Sequence, residues 1–314
     1  MRLLVIKPSS LGDIVHGLLV VSKLRRNRPD VSIDWVVRAE FVEVVRASRL
    51  IDEVIVYDRK GGIRSFISTI LQIRRGIYDM VWDMQGLARS GLMTLAARSR
   101  CKIGRSDSRE LAGLAYGQKV KYYPGKSAHA VDILRPFLLS ACDEDEISGR
   151  VDFTPDESEN FLKLLNSLPS NEYLCLFPGS RRKEKRWPYF VQLTRLLLTR
   201  TSFMVLWLGD SCCTDLITSD RLMNLCGDTT IGDVINFIKK ARLVVANDSG
   251  PMHLAAALGI PVLGLFITTD PKKYGPYPSS SRSNFVLSKG DKDEMFNENV
   301  VFDKIMSIIE NGYE

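Results

Sequence analysis

Apolar and polar positions along this chain fall into two alternating kinds of run. Leu3 to Ile6 is short and continuously apolar, the pattern of a strand buried on both faces. Lys7-Pro8-Ser9-Ser10-Leu11-Gly12-Asp13 reads as a turn, and Ile14 to Arg26 then places Ile14, Leu18, Val21 and Leu24 at helical spacing. The same alternation predicts strands over 30–37, 51–57 and 78–83 and helices over 40–47 and 63–75. A parallel sheet with helices on both faces is the expected result. In such sheets ligands bind beyond the carboxyl ends of strands, where Ser9 to Asp13 falls.

Met84 to Ser90 opens the next helix, and His129 heads one that continues to Leu139. Arg98, Arg100, Lys102, Arg105 and Arg109, interspersed with serines and Gly104, read as a cationic loop. The helix over 63–75 carries apolar residues at 63, 66, 67, 70 and 71, with Arg64, Arg74 and Arg75 off that stripe. The stripe is expected to face the core; a basic amphipathic helix on a membrane surface is the alternative.

The acidic run 143–146 and Thr154-Pro155-Asp156 mark a boundary between domains 1–155 and 156–314, with a helix over 159–165 leading into the second. There the pattern restarts, with strands at 173–177, 203–208, near 224, at 243–246 and 261–266, and helices following Trp187-Pro188 and over 231–240 and 299–310. The last helix is a candidate to pack back on the first domain. Pro178-Gly179-Ser180 echoes Pro8-Ser9-Ser10, and Arg181 to Arg186 is a dense cationic loop at a strand's carboxyl end, placed to clamp phosphate. Asp248-Ser249-Gly250-Pro251 reads as a helix-opening loop, with His253 in the first turn and Gly259 and Pro261 ending the helix. Free N–H groups and the positive end of a helix dipole attract phosphate, so a diphosphate-bearing ligand is expected here.

Composition narrows the classes. The 314 residues give room for two α/β domains, and no run reaches the roughly 18–20 apolar residues that span a bilayer. The six cysteines (101, 142, 175, 212, 213 and 226) lack CxxC spacing and are expected to be reduced thiols of a cytosolic protein. No metal-ligand spacing is present, nor a GxGxxG or Walker motif. Residues 1–156 hold 25 Lys and Arg against 19 Asp and Glu, so the net +6 lies there and the remainder balances at 18 each. A basic first half implies an anionic partner; an ordinary solvated surface is the alternative. Nucleic acid is disfavoured, because no aromatic residues interleave with the cluster at 98–109. Asp13 has two readings, a helix N-cap or a general base at the mouth of the sheet.

Lys7 to Asp13, Asp83-Met84-Gln85-Gly86-Leu87, Lys185-Arg186-Trp187-Pro188 and Asn247 to His253, in that order, resemble glycosyltransferase family 9, the ADP-heptose:lipopolysaccharide heptosyltransferases. The first two segments are most similar to its heptosyltransferase I branch. The resemblance implies a GT-B fold, two Rossmann-like domains facing across a cleft, the first holding acceptor and the second the nucleotide sugar. It implies inverting, metal-independent heptose transfer from ADP-L-glycero-D-manno-heptose to a Kdo-containing lipopolysaccharide inner core, with no cofactor beyond the donor substrate and with peripheral contact at the cytoplasmic face of the inner membrane. By the same resemblance Asp13 is the general base. Ser180 and Lys185 hold the donor phosphates, Asp248, Ser249, Gly250 and His253 form the helix-start cradle, and Thr229 lies near the adenosine. Ser10, Gly12, Lys60, Arg109 and His129 belong to the acceptor side. Two departures stand out: Ile267-Thr268 replaces the usual Gly-Pro before Thr269-Asp270-Pro271, and Ile133 stands where an arginine is expected after His129, with Arg135 nearby. A relative using another sugar or acceptor, or a nucleotide-sugar binder without catalysis, are the alternatives.

Overall fold

The computed structural model describes residues 1–121, 128–144, 146–210, 217–289 and 296–311. The chain divides into two compact units, Met1–Thr154 and Pro155–Glu314.

In the first unit β1 (Arg2–Ile6) leads into α1 (Leu11–Asn27), β2 (Ser32–Arg38), a 3-10 turn and α2 (Val42–Ala47), then β3 (Glu53–Tyr57) and α3 (Gly62–Arg75). β4 (Met80–Asp83), α4 (Ala88–Ala96), β5 (Cys101–Arg105), β6 (Gln118–Val120) and α5 (Arg135–Leu139) follow. The strands form one parallel sheet in the order β3-β2-β1-β4-β5-β6. The apolar faces of α3 and α4 (Phe66, Ile70, Ile73, Met93, Ala97) pack on Leu4, Ile6, Val36 and Ile55 of the sheet.

The second unit repeats the plan with α6 (Glu159–Asn166), β7 (Tyr173–Phe177), α7 (Phe190–Arg200), β8 (Met204–Trp207), β9 (Leu222–Asn224), α8 (Ile231–Lys240) and β10 (Leu243–Asn247). It ends with α9 (Gly250–Leu258), β11 (Val262–Phe266), α10 (Pro271–Tyr274), β12 (Asn284–Ser288) and α11 (Glu298–Asn311). Its parallel sheet runs β12-β11-β10-β7-β8-β9, the first unit's order in reverse view. Val301, Phe302, Ile305 and Ile308 of α11 complete the core around Leu193 and Leu197 of α7.

Several expectations change. α1 begins at Leu11, so Gly12 and Asp13 lie inside its first turn and Ser10 is the cap. The cationic stretch after α4 contains β5, so Lys102 and Arg105 stand on a strand. The helix expected from His129 forms only a 3-10 turn and α5, from Asp132 onward. β6 and β12 were not anticipated; both are edge strands, β6 with a single apolar residue and β12 with only the short run Phe285 to Leu287, half-buried rather than enclosed. The α3 stripe splits: Phe66 and Ile70 reach the core, whereas Ile63, Ile67 and Leu71 are exposed. Cys101, Cys142 and Cys175 are free thiols, but Cys226 is disulfide-bonded, against the expectation of six reduced cysteines. A bond between residues at non-motif spacing leaves no local signal in sequence; Cys212 and Cys213 lie outside the described residues.

One contact in the first sheet is tight enough to test. The Tyr116 ring lies flat against Gly104, where a Cβ would come within 2.2 Å of it. That packing delivers the Tyr116 hydroxyl to Asp83 Oδ2 at 2.8 Å. Gly104→Ala is expected to lower unfolding free energy by about 1–3 kcal/mol, the usual cost of overpacking a filled site. A urea midpoint equal to wild type would show that the ring moves away freely.

Candidate active site

In each sheet the strand order reverses between two central strands, β1 and β4 in the first and β7 and β10 in the second. Connections leave such a pair toward opposite faces and open a crevice beyond the carboxyl ends, the usual ligand position in open α/β sheets. All the chemistry below gathers at these two points.

In the first unit Asp13 sits three residues into α1. Its Oδ2 accepts from the Ser10 N–H at 3.1 Å and from the Ser10 hydroxyl at 2.7 Å. Its Oδ1 lies 3.3 Å from the Lys7 ammonium, which also donates to the Met84 carbonyl at 3.1 Å. Lys7 is only 2% exposed, while the Asp13 side chain is 47% exposed and open to an incoming group. Burial opposes ionisation of Asp13, but Lys7, His16 and the Ser10 donors outweigh it and hold the carboxyl well below the usual carboxylate range. Burial likewise pulls the Lys7 ammonium down, against the attraction of Asp13. Asp13 thus bonds to the cap residue of its own helix and presents an ionised carboxylate. His129 packs edge-on to His16 with ring centroids 5.9 Å apart, and its Nδ1 accepts from the Val131 N–H at 3.1 Å.

The loop after β4 is shaped by Asp83, which is fully buried. Its Oδ1 accepts from the N–H groups of Gln85 and Gly86, each at 2.9 Å, and Gly86 adopts a positive φ of 70° to close the turn. Burial pushes the Asp83 carboxyl upward, against these bonds. Gln85 then accepts from the Ser9 N–H at 3.4 Å, tying the β4 loop to the β1 loop. Beside them lies a cavity of about 390 Å³ lined by Arg38, Arg59 and Arg89 together with Tyr57, Gln85 and Glu110. Arg38 pairs with Glu40 at 2.7 Å, yet its Nε is buried with no hydrogen-bond partner among the described residues. Glu110 accepts from the Ala88 N–H at 3.1 Å, at the start of α4.

In the second unit Asn247, fully buried at the end of β10, clamps the neighbouring loop. Its Oδ1 accepts from the Trp187 N–H at 2.9 Å and its amide donates to the Pro178 carbonyl at 2.9 Å. The latch brings Lys185 to Asp248, Nζ to Oδ2 at 2.5 Å, and Thr269 donates to the same oxygen at 2.5 Å. Arg186 Nε donates to the Ser180 carbonyl at 2.8 Å and folds the cationic loop on itself. Ser249 caps α9 by position, with extended backbone, while its own hydroxyl donates back to the Asn247 carbonyl at 3.1 Å rather than accepting from the helix's first turn. α9 lies so close to β11 that a Cβ on Gly264 would meet Met252 Sδ at 2.7 Å.

Of the residues singled out from sequence, Ser10, Gly12 and Asp13 share one turn, with His129 reaching them through His16. Arg109 joins the same edge by its N–H bond to the Gly86 carbonyl at 2.9 Å. Lys60 is exposed on the loop after β3, two strands from β1, its N–H on Asp58. Ser180, Lys185, Asp248, Ser249, Gly250 and His253 gather at the β7–β10 crevice. Thr229 lies two strands away on the same edge, its hydroxyl on the Leu225 carbonyl at 3.4 Å. Sequence reasoning assigns no site role to Lys7, Arg38, Arg59, Arg89 or Thr269, and places Arg105 only among the cations of a connecting loop. Arg105, at the end of β5, donates from Nε to Asp107 Oδ1 at 2.8 Å and from Nη2 to Oδ2 at 2.6 Å; Asp107 first, and then Asp13 and Asp83, favour its charge. Among the described residues no group of three or more His, Cys, Asp or Glu is placed to hold a metal ion.

Two parallel sheets in this strand order, each with polar loops at its switch point, define a GT-B α/β fold. A family model for glycosyltransferase family 9 (heptosyltransferase) matches residues 67–305, so the chain belongs to that family and is a glycosyltransferase. It is similar to lipopolysaccharide heptosyltransferase 1 of Pseudomonas aeruginosa, 29% identical over 89% of this chain and 82% of that protein. It is similar also to lipopolysaccharide heptosyltransferase 1 of Escherichia coli K12, 25% identical over 98% of this chain and 100% of the relative. The fold matches that of E. coli heptosyltransferase WaaC solved with ADP, with a TM-score of 0.78 at 23% identity over 98% of this chain and 99% of that one. The same enzyme solved with ADP-2-deoxy-2-fluoro heptose gives a TM-score of 0.75 over 99% and 100%.

The Asp13 environment makes a pH prediction. Its folded-state pKa lies below the unfolded value, so its stabilising contribution is complete above the ordinary carboxylate range and is lost as pH falls through the depressed value. Lys7→Met removes the strongest attraction on the carboxylate, and Asp13 is expected to titrate at higher pH, followed by its carboxyl carbon resonance. An unchanged titration would mean that His16 and Ser10 alone hold it down.

Proposed function

We propose that this glycosyltransferase transfers heptose from ADP-L-glycero-D-manno-heptose to a Kdo-containing lipopolysaccharide inner-core acceptor, with inversion and without a metal ion, at the inner face of the inner membrane. The observations that carry the reading are an ionised, half-exposed Asp13 at the switch point of the first unit and, within the second unit, Lys185 held by Asp248 at the start of α9. The similarity to lipopolysaccharide heptosyltransferases 1 supports the substrates.

The acceptor hydroxyl donates a hydrogen bond to Asp13. As its oxygen attacks the anomeric carbon, the bond from that carbon to the diphosphate breaks and the proton passes to the carboxylate. A carboxylate of low pKa is a modest base, suited to taking a proton that the forming bond has already acidified. Lys185 and the N–H groups at the start of α9 take up the charge that develops on the departing ADP. Asp248 is an acceptor only, so its part is to position Lys185 rather than to touch phosphate; Thr269 fixes its free rotation. This gives the Thr269 position a purpose despite Ile267-Thr268 before it. On the acceptor side, Arg38, Arg59 and Arg89 of the cavity supply cations for carboxylate or phosphate groups, and Ser10, Gly12, Lys60, Arg109 and His129 are assigned to the same acceptor.

Asp13→Asn keeps the shape and removes the base, so turnover in an ADP-release assay should fall about 10²–10⁴-fold, the range for a lost general base. Wild-type turnover would reduce Asp13 to a cap. Lys185→Ala should weaken ADP binding by about 1.5–3 kcal/mol, a charge-assisted bond, measured by calorimetry. Unchanged ADP affinity would remove Lys185 from the donor site. A panel of ADP-, GDP- and UDP-sugars tests the donor itself; preference for any but ADP-heptose would favour a relative with another sugar.

A further inference from the structure

Helix α3 faces the core with Phe66, Thr69, Ile70 and Ile73. Its other side should be polar in a protein surrounded by water. Instead Ile63, Ile67 and Leu71, one turn apart along the helix, are 69%, 51% and 56% exposed. On the neighbouring α4 Leu92 and Leu95 are exposed too, and the 3-10 turn packed beside α4 exposes Leu114, with Leu111 just before it. Scattered apolar residues on a surface are ordinary, but a contiguous patch marks an interaction surface.

The charges around the patch select the partner. α3 contains no acidic residue. Arg64 stands three residues before Ile67, and Arg74 and Arg75 stand three and four after Leu71, spacings that share one helix face. From residue 59 to 105 the chain carries ten Lys and Arg against two acids. Of these, Asp83 is buried and Asp79 accepts from the Arg2 N–H. An apolar stripe flanked by arginines fits the interface of an anionic bilayer, where the side chains enter the acyl boundary and the guanidinium groups meet the headgroups. A second copy seated on this face would need acids there to meet its arginines, and α3 and α4 carry none.

We propose that the outer face of α3 and α4, led by Ile63, Ile67 and Leu71 with Arg64, Arg74 and Arg75, docks this enzyme on an anionic membrane surface. The proposal deepens the peripheral placement in the reading above and rests on it. α4 links the two functions: its first turn lines the arginine cavity and its outer face belongs to the patch. An acceptor anchored in the bilayer by acyl chains is thereby presented to the cavity from the side on which the protein rests.

The test uses the full chain and vesicles of phosphatidylcholine with or without phosphatidylglycerol, read by flotation. The wild type should bind the anionic vesicles, more weakly as salt rises, and not the zwitterionic ones. Ile67→Asp with Leu71→Asp, and separately Arg64→Gln with Arg74→Gln and Arg75→Gln, should each lower binding at least about tenfold, from the loss of apolar insertion or of headgroup attraction. Leu162→Asp on α6 should leave it unchanged. All these variants should keep wild-type turnover on a short, detergent-free acceptor fragment. Equal vesicle binding by wild type and both patch variants would overturn the assignment of this face, as would no vesicle binding by the wild type. A wild-type dimer in sedimentation that the Asp variants dissociate would overturn it in favour of a self-contact. Absence of transfer to the soluble fragment by the wild type would instead defeat the proposed heptose transfer to this acceptor, a result separate from vesicle binding.

Discussion

Parallel pairing imposes the constraint from which the rest of this molecule follows. A strand buried on both faces must send its connection to one layer or the other, and the right-handed crossover decides which. Where the order reverses, at β1–β4 and again at β7–β10, neighbouring connections part and leave a crevice at the carboxyl edge. Helix starts and tight loops there carry N–H groups outside the strand ladder, and side chains take them up, as Asp83 does for Gln85 and Gly86. Polar chemistry collects at such a place because the backbone already favours charge in it. The chain builds the crevice twice and equips the copies with opposite charges: a carboxylate at the first, an ammonium at the second.

Neither charge stands alone. Asp13 is held by Lys7 and Ser10, and Lys185 by Asp248 with Thr269 behind it. Pairs this close to the interior are weak sources of stability, since desolvating two ions offsets much of their attraction. What they secure is state and position. Lys7 keeps Asp13 ionised, and Asp248 keeps the Lys185 ammonium at the rim rather than free in solvent. The Lys185 ammonium is therefore already paired, and further positive charge in its loop is carried by Arg181, Arg182, Lys183 and Arg186.

Much of the framework was legible because it repeats local rules. β7 and α8 begin and end where composition places them, and the Asp248-Ser249-Gly250-Pro251 opening of α9 is visible as a helix start. What escaped was nonlocal. β5 looks like a loop because Lys102, Gly104 and Arg105 interrupt it; its Gly104 is explained only by Tyr116, whose ring needs the space. Lys7 gave no sign of burial, since its second partner, the Met84 carbonyl, lies 77 residues on. Thr269 was noticed as part of an altered loop, yet its bond to Asp248 spans 21 residues and no spacing rule encodes it. Arg38 at the end of β2, Arg59 in the loop after β3 and Arg89 in the first turn of α4 meet only when the sheet has formed.

The charge asymmetry between the halves resolves in the same way. An excess spread evenly over a solvated domain would place acids beside arginines, because opposite charges three or four residues apart stabilise a surface helix. α3 forgoes that benefit along its whole length and exposes isoleucine and leucine instead. Both choices cost something in water. Together they are unfavourable only in water, for a bilayer interface accepts the apolar side chains and rewards the unpaired cations. The basic character of the first unit is therefore local, concentrated where the apolar exposure is greatest and continuous with the arginine cavity through α4.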